Sequence, residues 1–248
     1  MKSTIGRLLG TFIAIGLVAF CMTGFVHAAE TSHKHGADGA MEMHHMHMMM
    51  NYGLEMVVEG SNLVMLAEMK MSPDLDPATA SHGRSMMKQG KEMIQNMLNG
   101  PEMEAMHKSG HGGSPLMKYT HALAMAMLNV VDMLEKMEMT EMKPDDAMTM
   151  HHMHILINHA LEMATQGSNM VMLGQMGMAK SIDKHSVEDG KLMIAEARAL
   201  MKEVMNGKAM TQMHTRAAGT SSEMDYTHKL DAAANELVDL LEKMPQVQ

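Results

Sequence analysis

The 248-residue chain has one cysteine and no tryptophan, and its three phenylalanines, Phe12, Phe20 and Phe25, lie with Cys21 in the first 25 residues. That excludes a disulfide framework, a thiolate metal cluster and a Cys/His nucleophile in everything that follows. Glycine-rich phosphate loops are missing too, since His111-Gly112-Gly113 reads as a turn between helices. No strand–turn–helix nucleophile elbow can be found. Prolines number six, and β-branched runs in alternating register are scarce, so strands are not expected. Basic residues are outnumbered, 20 against 29 acids for a formal charge of −9, which argues against nucleic acid and anionic lipid and favours cations or basic partners.

The first 28 residues read as a secretory signal peptide. Lys2 and Arg7 form a positive n-region, Leu8 to Phe20 an apolar h-region, and Val26-His27-Ala28 a small-residue cleavage site. A lipoprotein anchor at Cys21 is the lesser alternative, because Phe20 is bulkier than the residue a lipobox places there. No later stretch nears the roughly 20 unbroken apolar residues of a membrane helix. The expected product is periplasmic, does not insert in the membrane after cleavage, and lacks cysteine, phenylalanine and tryptophan. Losing Lys2 and Arg7 takes its formal charge from −9 to −11.

What the chain has instead is methionine, 40 residues, accompanied by 17 histidines. Thioether sulfur is a soft, neutral ligand suited to Cu(I) and Ag(I). The competing reading is that methionine is simply the core filler, being flexible and unbranched.

Sliding the chain by 107 positions aligns 44–137 with 151–244 without a gap, with about 40 % of the pairs identical. His44-His45-Met46-His47 returns as His151-His152-Met153-His154, Tyr119-Thr120-His121 as Tyr226-Thr227-His228, and Leu134–Met137 as Leu241–Met244. Each copy reads as three helices, over about 44–71, 83–99 and 115–138, then 151–178, 188–206 and 222–243, with a short helical turn added at Met103–His107 and Met210–His214. Ser72 to Pro77, Asn99-Gly100 and Asn206-Gly207 supply breaks, and Ser114-Pro115 supplies a cap and a first helical proline. The expected fold is all-α, two tandem three-helix repeats packed as a bundle about a pseudo-twofold axis. A flexible arm over 29–43 and a linker over 141–150 flank the first repeat. The stripe Leu123, Ala126, Met127, Val130, Val131, Leu134 and Met137 and its copy ending at Met244 read as core.

Candidate ligands lie where methionine exceeds what one core face can use. Met46, Met48, Met49 and Met50 follow one another round a helix with His44, His45 and His47 among them, so they cannot all face one core. His44 with His47 and His151 with His154 share a face at i, i+3, beside His152 and Met153. Met65 with Met69 and Met172 with Met176 align thioethers on adjacent turns, as do Met93 with Met97 and Met201 with Met205. His121 and His228 follow the retained Tyr-Thr. His47, Asn51 and Glu55, repeated as His154, Asn158 and Glu162, form a polar stripe that would either orient an imidazole or face solvent.

With its signal peptide, cysteine-free remainder and mixed clusters over Met41–Met50 and Met148–His154, the chain resembles the periplasmic copper- and silver-binding resistance proteins. That resemblance implies a non-enzymatic buffer of Cu(I), and of Ag(I), serving a metal efflux or resistance system. It is also similar in logic to the helical-bundle copper storage proteins, except that those use cysteine, so exchangeable binding is implied instead of tight storage. Two other readings compete. Glu42-Met43-His44-His45 and Glu104-Ala105-Met106-His107 echo the Glu-x-x-His of ferritin-like di-metal redox proteins, although Thr149 and Thr211 replace both glutamates in the second copy. A metal-independent helical module that captures partners on a methionine-rich surface is the other.

Overall fold

The structure, a computed structural model, describes residues 37–70, 72–108, 113–137, 143–216 and 221–245, with side chains from Met41 onward. The signal-peptide reading and most of the expected arm lie outside these residues. The chain is all-α, in the order α1 (Ala37–Glu68), α2 (Asp76–Asn99), α3 (Pro101–Lys108), α4 (Pro115–Glu135), α5 (Pro144–Gln175), α6 (Asp183–Asn206), α7 (Lys208–Thr215) and α8 (Ser222–Glu242). The six long helices pack as a bundle. Each repeat contributes a long–long–short–long series, and the turns expected at Met103–His107 and Met210–His214 are two-turn helices, α3 and α7. α1 begins at Ala37, inside the expected arm, and α5 at Pro144, inside the expected linker.

Helix ends follow local chemistry. Ser114 accepts from the Met117 amide at 3.1 Å and Ser221 from the Met224 amide at 3.2 Å, each satisfying an amide that the first turn leaves without a partner. Gly100 and Gly207 turn extended and separate α2 from α3 and α6 from α7. Gly177, just past α5, takes a left-handed φ of 66°, and its counterpart 107 positions earlier, Lys70, takes 54°. The second copy has the residue that bears this conformation without steric cost.

α1 lies against α2, and α5 against α6, at a distance set by glycine. A Cβ on Gly60 would meet the Gly83 carbonyl oxygen at 2.5 Å, and one on Gly167 the Gly190 oxygen at 2.5 Å. Hairpins closed in this way leave α1, α4, α8 and α5 in a ring at the centre, α1 and α8 each touching α4 and α5. The expected core stripe of α4 is buried throughout, as is that of α8 up to Leu241, while Met244 is half-buried. Lys91 of α2 pairs with Asp132 and Glu135 of α4, and its counterpart Arg198 with Asp239 and Glu242 of α8.

The two repeats meet along a polar seam. Asn51 Nδ2 donates to Asn169 Oδ1 at 2.7 Å and to Ser168 Oγ at 3.2 Å, and Asn158 Nδ2 donates to Asn62 Oδ1 at 2.7 Å. Thr165 Oγ1 donates to Glu55 Oε1 at 3.1 Å. The stripe through Asn51 and Glu55 therefore neither faces solvent nor orients an imidazole; it joins α1 to α5. Tyr119 and Tyr226 add reciprocal bonds, their hydroxyls donating to the carbonyls of Leu240 and Met133 at 3.0 and 2.7 Å. Among the described residues no helix is long and apolar enough to cross a membrane.

Candidate metal centre

The beginning of α1 turns Met43, His44, Met46 and His47 inward, all buried, because residues one, three and four apart sweep one broad arc of a helix. α3 contributes Met103 and Met106, and α4 contributes Met117. With Met43 and Met46 these form a separate apolar cluster of thioethers, distinct from the main core. The second repeat buries the matching residues, Met150, His151, Met153, His154, Met210, Met213 and Met224, whose thioethers there are continuous with the main core.

Hydrogen bonding inside these cages leaves nitrogen lone pairs free. His47 Nε2 lies 2.7 Å from Thr120 Oγ1, whose hydroxyl proton has the Leu116 carbonyl at 2.9 Å and the Met43 thioether at 3.0 Å as acceptors. The imidazole then donates from Nε2 and keeps its lone pair on Nδ1, a buried atom with no partner. His154 repeats this with Thr227 at 2.8 Å, the hydroxyl reaching Met150 Sδ at 2.9 Å and the Glu223 carbonyl at 2.8 Å, and again Nδ1 is unpartnered. His44 is 2 % exposed and neither of its ring nitrogens has a partner among the described residues, and His151, 3 % exposed, lacks one there at Nδ1. The His44 and His47 rings stand 6.4 Å apart, centre to centre. Tyr119 sits edge-on to His47 at 5.4 Å, and Tyr226 to His154 at 5.5 Å.

Burial holds these imidazoles neutral. It lowers His44 and His151, and it pushes His47 down to about 3 and His154 to about 4, with the neighbouring His44 and His151 adding a smaller effect. Neutral imidazole is the form a metal needs. An orphaned buried nitrogen costs on the order of 1–3 kcal/mol in an apolar setting, and at these cages the cost is repeated in both copies. Thioethers and neutral imidazoles suit a soft monovalent cation, because none of these donors brings charge to offset a second positive charge.

The remaining candidates divide. His45 is exposed, and His152 is exposed in a groove of about 480 Å³ that it lines with Met148, Thr149 and Met153 between α5, α6 and α7. Met50 is fully buried in the main core and Met49 is half-buried. Met65 and Met172 are fully buried, Met69 and Met176 half-buried. The antiparallel seam pairs 51 with 169 and 62 with 158. Carried one heptad outward on both helices, it sets Met176 level with His44 and Met69 level with His151. His121 and His228 lie on α4 and α8, outside the cages and paired with His107 and His214, their rings 5.2 and 5.1 Å apart.

Sequence reasoning missed the thioethers of α3 and α4 and the two threonines. The signal was there: Met43, Met103, Met106, Met117 and Thr120 are identical in the second copy, whereas Met48, Met49 and Met50 become Ile155, Leu156 and Ile157. Methionine replaced by aliphatic is packing; methionine kept as methionine is a candidate donor.

Among the described residues no three side chains from His, Cys, Asp and Glu gather as a metal site. Glu42 and Glu104 are exposed, and Glu104 pairs with Lys108 at 2.6 Å. Comparison with protein-family models, curated proteins and solved structures finds no match for this chain.

Proposed function

We propose that the protein is a periplasmic buffer of soft monovalent metal, taking Cu(I), and Ag(I) by the same chemistry, as exchangeable cargo in two internal His/Met cages, one per repeat. It works without catalysis, and the cargo passes to an efflux or resistance system. The observation that carries this reading is His44, buried with both ring nitrogens unpartnered among the described residues, on the helical arc that contributes Met43 and Met46 to a cluster of five buried thioethers. An apolar core would place leucine there. A partner-capturing surface would hold its methionines outside, yet Met43, Met46, Met103, Met106, Met117 and their copies are all buried, with Met41 and Met148 the retained pair that, among the described residues, is exposed in both repeats.

Within a cage, His44 and His47 supply neutral nitrogen, and Met43, Met46, Met103, Met106 and Met117 supply sulfur. Thr120 fixes the tautomer of His47, the task that a hydrogen-bonding group beside a metal-bound imidazole performs. In the second repeat His151, His154, Met150, Met153, Met210, Met213 and Met224 take these roles, with Thr227 behind His154. Thioethers are neutral and weaker donors than thiolates, which favours release over permanent storage.

The test is anaerobic titration of the leaderless protein with Cu(I) and with Ag(I), followed by native mass spectrometry and chelator competition. At least two ions per chain are expected. M103L/M106L/M117L, which conserves side-chain volume closely, should lose one of them with helicity unchanged, and Thr120→Val should weaken that site about 10- to 100-fold while Thr120→Ser does not. Uptake no greater than that of a helical protein of ordinary methionine content would end the proposal.

A further inference from the structure

Outside the cages, each repeat brings two histidines together on its surface. His107 lies in the last turn of α3 and His121 in the second turn of α4, and 107 positions later His214 and His228 stand on α7 and α8. All four are retained although α3 and α7 otherwise share only Met103/Met210 and Met106/Met213. In the second pair the two Nε2 atoms face each other at 3.0 Å. In the first, His121 Nδ1 lies 3.2 Å from the Met117 carbonyl, which can only accept, so the proton is on Nδ1 and the lone pair on Nε2. That is the tautomer of a metal-bound imidazole steadied by a backbone carbonyl.

We propose that each repeat carries a second metal site, an imidazole pair at the surface, His107 with the half-buried His121 and His214 with His228, that takes a borderline divalent cation, Cu(II) foremost and Zn(II) after it, with water filling the remaining positions. Two nitrogens each about 2.0–2.1 Å from one ion stand roughly 2.8–3.4 Å apart when the angle at the metal lies between a right angle and the tetrahedral angle. The 3.0 Å separation of His214 and His228 is already in that range. A hydrogen bond between two neutral imidazoles explains one proton held between them. It does not explain why both rings recur in both copies, three of them exposed and His121 half-buried, where water would satisfy the outward nitrogens equally well. Imidazole suits Cu(II) and Zn(II), and Cu(II) binds the tighter of the two at a given nitrogen site. The pair contains no thioether and the ions differ in charge from the cage cargo, so this site stands whether or not the cages bind Cu(I).

The experiment is aerobic equilibrium dialysis of the leaderless protein against Cu²⁺ and against Zn²⁺, with electron paramagnetic resonance of the Cu²⁺ form. H107A/H121A, H214A/H228A and the fourfold variant are compared with H82A/H185A, which removes two exposed histidines elsewhere. Each pair variant should lose one Cu²⁺ and the fourfold variant two, with at least a tenfold loss of affinity and of the two-nitrogen hyperfine pattern, while the control keeps both. Helicity is checked by circular dichroism. The unaltered protein gives a second reading, since sub-stoichiometric Cu²⁺ should broaden the ring resonances of His107, His121, His214 and His228 before those of His82 and His185. Retention of the hyperfine pattern by the fourfold variant, equal loss in the control, or uniform broadening of all exposed histidines would overturn the proposal.

Discussion

At the scale of the residue, the buried imidazoles set the protein's response to acid. His47 and His154 have folded values of about 3 and about 4 against an ordinary value near 6.5, because burial penalises their charged form. Above pH 6.5 both folded and unfolded chains leave them neutral, and their contribution to stability is constant. As the pH falls through 6.5 the unfolded chain takes up protons that the folded chain refuses, so stability is lost progressively towards pH 4 and 3. His44 and His151 are lowered by burial too and add to the loss. Glu55 and Glu162 act the other way, since burial raises them and the fold binds their protons first. That offset begins at their raised folded values and is complete by their ordinary 4.5, so it opposes the histidine loss at the acid end of the range. The metal-free protein should therefore show a falling denaturant midpoint between pH 7.5 and 5.5, with the ring resonances of His47 and His154 unmoved while the fold persists. Titration of those two rings near 6.5 in an intact fold would contradict it. It also follows that acid in this window does not directly reach two of the cage ligands, His47 and His154.

At the scale of the element, periodicity within one helix told which face is buried but not which neighbour covers it. Breaks at Asn99-Gly100 and Asn206-Gly207, the Ser114 cap and the α4 stripe were legible because each is local chemistry. α3 and α7 were legible only as turns, since eight residues give too short a pattern to distinguish the two. The i, i+3 pairing of His44 with His47 was read correctly as one face. Met103, Met106 and Met117 were missed because they come from other helices and only the tertiary fold assembles them. The polar stripe of α1 was misread for the same reason: its partners, Ser168 and Asn169, are on α5. Small residues decide the hairpins themselves. A methyl on Gly83 would meet the Gly60 carbonyl oxygen at 2.4 Å, and backbone cannot rotate aside as a side chain can. Gly83→Ala gains up to about 1 kcal/mol of helix propensity but forces α1 and α2 apart, for which overpacking costs of about 1–3 kcal/mol are typical. A net loss of up to about 2 kcal/mol is expected, read as a melting temperature lower by up to several degrees. The exposed Ser85→Ala, two residues along, should leave it unchanged or raised. An unchanged melting temperature for Gly83→Ala would mean that the hairpin is looser than this contact.

At the scale of the whole molecule, the seam does more than join two copies. α1 and α5 run antiparallel with 51 opposite 169 and 62 opposite 158, so the end of each helix lies beside the beginning of the other. Both helices keep their i→i−4 bonding past their last residues, Met69 N donating to Met65 O at 3.2 Å and Met176 N to Met172 O at 3.0 Å, so the register extends to those positions. Met176 of the second repeat therefore stands level with His44 in the first cage, and Met69 of the first repeat with His151 in the second. Both thioethers are retained between copies, although the loops that follow them diverge. On the proposed function, each cage is completed from the opposite repeat. Met176→Leu should weaken Cu(I) binding at the first cage, where M103L/M106L/M117L acts, and leave the second cage, where M210L/M213L/M224L acts, untouched; Met69→Leu should do the reverse. Combining Met176→Leu with each triple variant separates the outcomes by mass spectrometry and chelator competition. With the second cage disabled, Met176→Leu should lower the remaining affinity several-fold, and with the first disabled it should change nothing. The opposite assignment would place each late methionine in its own repeat's cage and refute the crossing. No effect in either background would confine Met69 and Met176 to packing, leaving two self-contained cages joined only by asparagine and tyrosine.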